Sequence, residues 1–210
     1  MPTATVDTVQ YYFRENGRSG PLVILGHSDA SSSAQWRSLM EDLGGEFRLR
    51  AFDTAGQGRS HPWPEEQPYS IAAESRIVDA LAESETARIH LVGHSAGGMF
   101  LLGAALRLGE RLASLTLVEP VAFFLLRQAG KGVALAEVEQ VRRDFKQRVR
   151  AGSHAEAMAG FVDYWTGEGN WAAMPEERRA PIVATAPKIY LQWDAALCDH
   201  HTLADFSQIS

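Results

Sequence analysis

Five residues, Gly93-His94-Ser95-Ala96-Gly97, constrain this 210-residue chain more than any other feature, because of what flanks them. Arg88-Ile89-His90-Leu91-Val92 before them reads as a buried strand, and Ala96 to about Leu108 after them reads as an apolar helix. A chain that passes from strand to helix through one serine must hold that serine in a strained turn, which lifts its hydroxyl above the sheet. Small residues two positions before and after relieve the crowding, and Gly93 and Gly97 stand there. This is the context of a G-x-S-x-G nucleophile elbow. The helix opening at Ala96 also aims its unsatisfied N–H groups at the place where an oxyanion would form.

The same strand and helix alternation runs through the first 120 residues. Val9 to Arg14 is β-branched and aromatic and reads as an edge strand. Pro21 to Leu25 is a short apolar run ending in Gly26, followed by a serine loop and a helix starting near Ala34, with Trp36, Leu39, Met40 and Leu43 on one face. Arg48 to Phe52 is the next strand. Ser70 to Glu83 places Ile71, Ile77, Val78 and Leu81 on a helical stripe, and Leu115 to Val118 is the last strand. This alternation predicts an α/β fold, a mostly parallel sheet with helices on both faces.

After Pro120 the pattern turns helical, with Leu135, Val138, Val141, Phe145 and Val149 on one amphipathic stripe and Ala157, Met158, Phe161, Val162 and Trp165 on another. The expected organisation is one sizeable domain: a core over 1–120, a helical lid insertion over 121–187, and a segment over 188–210 leading back to the sheet. Ten of the 19 aromatic residues follow Val121, enough either to roof an apolar pocket over Ser95 or to form a core of the lid's own.

Composition excludes other classes. With 45% hydrophobic and 22% charged residues and a net charge of -6, the chain has the balance of a globular domain and no electrostatic footprint for nucleic acid or anionic lipid. The apolar run Gly97 to Leu106 is too short and glycine-rich to span a bilayer. Cys198 is the only cysteine, and the first residues lack the basic and apolar regions of a signal peptide, so a cytoplasmic location is the default expectation.

Three motifs in order resemble the α/β-hydrolase superfamily, in its serine esterase and lipase-like branch, from Leu22 to about Pro120. Besides the elbow they are Leu25-Gly26-His27-Ser28-Asp29, where that family has His-Gly and then an oxyanion-hole residue, and Asp53-Thr54-Ala55-Gly56-Gln57-Gly58-Arg59-Ser60, similar to its D-x-x-G-x-G-x-S turn. The resemblance implies an α/β-hydrolase fold with a helical lid and a serine nucleophile, Ser95. The oxyanion hole would be built from the N–H groups of Ser28 and Ala96, with no metal or organic cofactor. The Gly-His order in this chain reverses the family's. His27 is expected to be a loop histidine bonded to the backbone, His94 to pack on the sheet side, and the Asp53 turn to be architectural, since a P-loop lysine is missing.

In this fold the partners of the nucleophile follow it in the order acid, then histidine. Glu119, closing the strand of Leu115 to Val118, is the carboxylate that the resemblance points to. Downstream histidines are only His154, His200 and His201, none in the family's strand-then-G-x-G-H context. The family's sheet normally continues past the lid, whereas this chain stops at Phe206-Ser207-Gln208-Ile209-Ser210, so a C-terminally shortened form is expected. The alternative is a reshaped lid from which one of the three late histidines reaches Ser95. Asp199, His200 and His201 are not expected to ligate a metal, because adjacent helical residues point about 100° apart.

The expected activity is hydrolysis of a carboxylic ester or related acyl bond of a small substrate with an apolar acyl or aryl group, through an acyl-enzyme on Ser95. Two alternatives stay open: a non-catalytic or truncated relative that binds a small apolar ligand, and other cofactor-free chemistry of the same fold, haloperoxidase-like or carbon–carbon hydrolysis.

Overall fold

The computed structural model describes residues 2–209. Its strands are β1 (Thr3–Val6), β2 (Val9–Asn16), β3 (Leu22–Gly26), β4 (Arg48–Phe52), β5 (Ile89–His94) and β6 (Leu112–Val118). They form one sheet in the order β1-β2-β4-β3-β5-β6, with β3, β4, β5 and β6 parallel and β1 and β2 antiparallel at one side. Every residue of β3 is buried, as a central strand covered on both faces must be. The outer strands are β1 and β6, and after its buried first residue, Leu112, β6 alternates half-buried and exposed positions.

β2 is therefore an inner strand and not the expected edge. The short strand before it escapes notice because only four residues, Thr3 to Val6, carry it; a reversal at Asp7, whose φ is +52°, folds it back onto β2.

The helices that flank the sheet are α1 (Arg37–Leu43), α2 (Ile71–Glu74), α3 (Ile77–Leu81) and α4 (Ala96–Leu108). The stripe over Ser70 to Glu83 is thus two short helices and not one. At the break the Ser75 carbonyl accepts from Val78 N–H at 3.1 Å, a tighter turn than an α-helix makes, and Arg107 of α4 reaches in, donating to Ser75 Oγ at 2.8 Å and to the same carbonyl at 3.0 Å. The main core lies beneath α3 and α4, around Leu22, Ile24, Phe52, Ile77, Leu91 and Leu101, whereas Met40 of α1 packs in a second cluster with Val23, Leu25, Leu49 and Ala51. Full burial of a side chain of that size is worth about 1.5–3 kcal/mol.

Beyond β6 the described residues are helical: α5 (Phe124–Gln128), α6 (Gly132–Arg150), α7 (His154–Thr166), α8 (Asn170–Ala173), α9 (Glu176–Val183), α10 (Ala186–Cys198) and α11 (Leu203–Phe206). Their own core joins Val138 and Phe145 of α6, Ala157 and Met158 of α7, and Ile189 and Trp193 of α10. α10 thus packs within the helical layer, and its Ala196 also rests against Ala96, Met99 and Phe100 of α4. No described helix is long and apolar enough to cross a membrane.

Candidate active site

β5 ends at His94 and α4 begins at Ala96, so Ser95 alone makes the turn. Its backbone sits at φ +54° and ψ -118°, a region that L residues avoid, and the turn is braced from both sides. Ser95 N–H donates to the Val118 carbonyl at 2.9 Å, and the Ser95 carbonyl accepts from Val121 N–H at 3.3 Å. The glycines are required by close approach. A Cβ on Gly97 would lie 2.2 Å from the Gly26 carbonyl oxygen, and one on Gly93 would lie 2.6 Å from Gly98 Cα. Gly97 N–H also donates to the His27 carbonyl at 3.0 Å, tying the start of α4 to the loop after β3.

Ser95 is half-buried and faces a hollow of about 680 Å³ between the sheet's carboxyl edge and the helical layer. Ser28, Asp29, His94 and Glu119 line it on the sheet side, and Phe123, Phe161 and Trp165 on the helical side. The rings pack on one another: Phe123 stacks on Trp165 with centroids 5.9 Å apart and on Trp193 at 6.0 Å. Rings after Val121 thus both roof the hollow and join the core of the helical layer.

The second motif departs from expectation in its hydrogen bonds. Ser28 N–H donates to Gln35 Oε1 at 3.1 Å, and Ser28 Oγ donates to the same oxygen at 3.0 Å. Ser28 can serve an oxyanion only after the Gln35 side chain moves. Ala96 N–H belongs to the first turn of α4, where amides have no intrahelical acceptor.

His27 is 1% exposed, and its Nε2 accepts from Thr54 N–H at 3.1 Å, which leaves Nδ1 to donate to the Ser28 carbonyl at 2.7 Å. Burial holds its pKa below the ordinary histidine value, so the ring is a neutral brace between two loops. The third motif is also a brace. Asp53 accepts from the N–H groups of Ser33 and Arg59, and Ser60 Oγ donates to the Asp53 carbonyl at 2.7 Å while accepting from Tyr12 N–H.

His94 does not pack away on the sheet side. It lines the hollow beside Ser95, and its Nδ1 lies 3.1 Å from Gln35 Nε2. Glu119 is exposed at the rim with φ +46°, a second strained residue at a strand end. Neither His154, His200 nor His201 lines the hollow. The last two belong to another concavity, with Arg107 and Phe206. α10 stops at Cys198, so Asp199, His200 and His201 do not follow helical spacing: the two rings stack at 4.3 Å, and the potential ligand atoms of the three lie within 4.8 Å of one another.

Comparison with known proteins agrees with this architecture. The sequence profile of the alpha/beta hydrolase fold matches residues 5–197. The chain belongs to the α/β-hydrolase family. Among its curated α/β-hydrolase relatives, the pimeloyl-[acyl-carrier protein] methyl ester esterase of Aeromonas hydrophila is 32% identical over 143 residues, 66% of this chain and 55% of that one. The haloalkane dehalogenase of Agrobacterium fabrum is 33% identical over 54% of this chain and 36% of its own length. This α/β-hydrolase chain therefore spans about half the length, or less, of such relatives. An alpha/beta hydrolase of Sphaerobacter thermophilus superposes with a TM-score of 0.75 at 21% identity, covering 100% of this chain and 79% of that one. The enol-lactonase of Burkholderia xenovorans has the same TM-score at 20% identity, covering 100% and 78%.

Two features of the site had no signature in the sequence reading. Glu74 of α2 and Lys188 of α10, both buried, form an ion pair beneath the hollow; Glu74 also accepts from Ala55 N–H at 2.7 Å and from Tyr69 O–H at 2.5 Å. Burial lowers the Lys188 pKa against the pull of Glu74. Asp29, two residues past His27, also lines the hollow. Burial pushes its carboxyl up to about 6, opposed by the hydrogen bond that Gln57 Nε2 donates to it at 2.8 Å and by the charge of Lys188.

Proposed function

We propose that this protein is a serine hydrolase that cleaves a carboxylic ester or related acyl bond of a small, largely apolar substrate through an acyl-enzyme on Ser95. The observation that carries the reading is the turn itself: a serine at positive φ, between two glycines that tolerate no Cβ, facing a roofed hollow. Strain of this kind is kept where the exposed hydroxyl is put to use. The hydrolase names of the curated relatives support the same class of reaction.

In the reaction, Ser95 Oγ bonds to the acyl carbon and the bond from that carbon to the alcohol oxygen breaks, the serine's proton ending on the departing alcohol; water then adds to the acyl carbon, the bond to Ser95 Oγ breaks, and the acid leaves as a proton of the water returns to the serine. Ala96 N–H would be the first oxyanion donor, a role supported by its place in the first turn of α4, where amides have no intrahelical acceptor. Ser28 N–H becomes the second when Gln35 swings away, each donor being worth about 3 kcal/mol of barrier. Glu119 is the carboxylate at the rim that would orient the base. Aromatic walls favour an acyl or aryl group.

A second reading, binding of a small apolar ligand without turnover, is favoured by one observation: His94 is the only imidazole among the described residues lining the hollow. A fluorophosphonate probe separates the two. An activated Ser95 is labelled covalently, and Ser95→Ala removes the label while circular dichroism stays unchanged. Folded wild-type protein that takes no label is a binder.

A further inference from the structure

The stretch after α10 carries a cluster that the proposed reaction does not use. Adjacent histidines on a helix would point about 100° apart and could not share an ion. The chain leaves the helix before that spacing applies: α10 ends at Cys198, and Asp199, at φ -60° and ψ 141°, is extended. Asp199, His200 and His201 therefore converge, with one potential ligand atom from each lying within 4.8 Å of the other two. The His200 and His201 rings stack with centroids 4.3 Å apart and planes 28° apart.

Neighbours hold the segment in this shape. Gln128 of α5 clamps it, its Nε2 donating to the His201 carbonyl at 3.0 Å and its Oε1 accepting from Leu203 N–H at 3.2 Å. Thr202 and Asp205 close a capping box at the start of α11. A segment ordered in advance loses less freedom when it takes a ligand. Its polar atoms are also available. His201 Nδ1 lies 2.5 Å from Asp199 Oδ1, with one proton between them, whereas Asp199 Oδ2 and both ring nitrogens of His200 bond to no described residue. All three side chains line a concavity of about 170 Å³, and Arg107, which lines it too, is paired with Asp79 at 2.8 Å.

A zinc-sized ion bonds imidazole nitrogen and carboxylate oxygen at about 2.0–2.2 Å, which sets tetrahedral ligand atoms about 3.4 Å apart. Asp199 and His201 already touch, so the closing movement falls to His200, whose exposed ring has room to turn. Two imidazoles with one carboxylate suit zinc and its transition-metal neighbours, not calcium or magnesium, which require oxygen ligands. We propose that Asp199, His200 and His201 bind one divalent transition-metal ion, which takes the place of the proton between Asp199 and His201 and releases that proton to solvent, its remaining positions being filled by water. The ion fastens the end of α10 to the start of α11. Neither histidine lines the hollow that Ser95 faces, so the inference stands apart from the hydrolase reading.

Chelator-treated, untagged protein is titrated with Zn²⁺ by isothermal calorimetry at pH 7.5, and with Co²⁺ by visible absorption. One Zn²⁺ per chain is expected, with a dissociation constant below about 10 μM. His200→Ala and His201→Ala should each weaken binding at least about tenfold and remove the Co²⁺ absorption, whereas His154→Ala and Cys198→Ser should leave both unchanged. Zn²⁺ should raise the thermal midpoint of the wild type and not that of the variant lacking both imidazoles. His200→Ala alters only an exposed ring, and its midpoint without metal, equal to that of the wild type, shows that its fold is intact. Binding weaker than about 10 μM would overturn the site, as would binding that survives the loss of both imidazoles. Loss of binding in Cys198→Ser would overturn the ligand set, since a thiolate would then hold the ion.

Discussion

At the floor of the hollow Gly93, Ser95 and Gly97 lie within one five-residue string, and backbone atoms set their positions: the Gly26 carbonyl against Gly97, Gly98 Cα against Gly93. At the roof Phe123 from just before α5, Phe161 and Trp165 from α7 and Trp193 from α10 touch through ring faces and edges, at centroid distances between 5.9 and 6.4 Å. Backbone contacts cannot repack, whereas rings can exchange neighbours at small cost. The two glycines of the floor should therefore refuse any side chain, whereas the roof should tolerate substitution. Gly97→Val forces a side chain into the Gly26 carbonyl and is expected to cost on the order of 4 kcal/mol or more, enough to leave little folded protein. Phe161→Leu at the roof is expected to cost about 1–2 kcal/mol. Urea denaturation of the two variants measures the gap, and equal losses would break the comparison.

One connection between the layers is not forgiving. Lys188 comes down from α10 to meet Glu74, and removal of either leaves a buried charge without its partner. Lys188→Met is expected to destabilise by about 3–5 kcal/mol, whereas Lys188→Met with Glu74→Gln should recover much of that loss, because both charges then disappear together. The double variant would not recover fully, since Ala55 N–H and Tyr69 O–H also depend on Glu74. A denaturant series on the two single variants and the double isolates the pairwise part.

The difference between floor and roof also decides what could be read from the sequence. The elbow was legible because its demands are local: a strand period, two glycines at fixed offsets and a helical period follow one another without a gap. The same holds for the Asp53 turn, whose bonds mostly close within eight residues or onto the adjacent strand and loop. The Glu74 and Lys188 pair was not legible, because it joins helices 114 residues apart and neither helix shows an unusual pattern. Nor was the break between α2 and α3, where Arg107 reaches in from α4. The occupation of Ser28 N–H by Gln35 and the turning of His94 toward the hollow likewise depend on where the 3-10 turn Ser33–Trp36 ahead of α1 sits, which periodicity leaves open.

Between floor and roof, Asp29 gives the hollow a pH signature. Its carboxyl titrates at about 6 in the fold and near 3.9 in an unfolded chain, so the folded state binds more protons in that window and stability falls as pH rises from about 4 to about 6. His27 acts in the opposite sense. Kept neutral by burial, it makes the fold bind fewer protons than the unfolded chain, and stability is lost as pH falls through about 6.5. Asp29→Asn removes only the first contribution. It should raise stability above pH 6 by on the order of 1–2 kcal/mol, the full shift being discounted for water at the mouth of the hollow, and change little at pH 4. Urea midpoints from pH 4 to 7.5 test the sign, and a variant that loses stability above pH 6 would place the Asp29 carboxyl in a more favourable setting than burial allows.

The smallest expected effect bears on the floor's central residue. A serine at φ +54° and ψ -118° carries a conformational penalty that glycine does not, so Ser95→Gly is expected to stabilise the fold by about 1 kcal/mol after the flexibility glycine adds to the unfolded chain. Ser95→Ala keeps the Cβ and with it the strain, and should leave stability within about 0.5 kcal/mol of wild type. Both variants lack the hydroxyl, so the difference between their thermal midpoints reports the backbone alone. If glycine gains nothing over alanine, the turn relaxes in solution and the floor is no stiffer than the roof. If it gains, the chain holds a destabilised turn that a single codon change would relieve, and the hydroxyl that the change would delete is what the strain presents to the hollow.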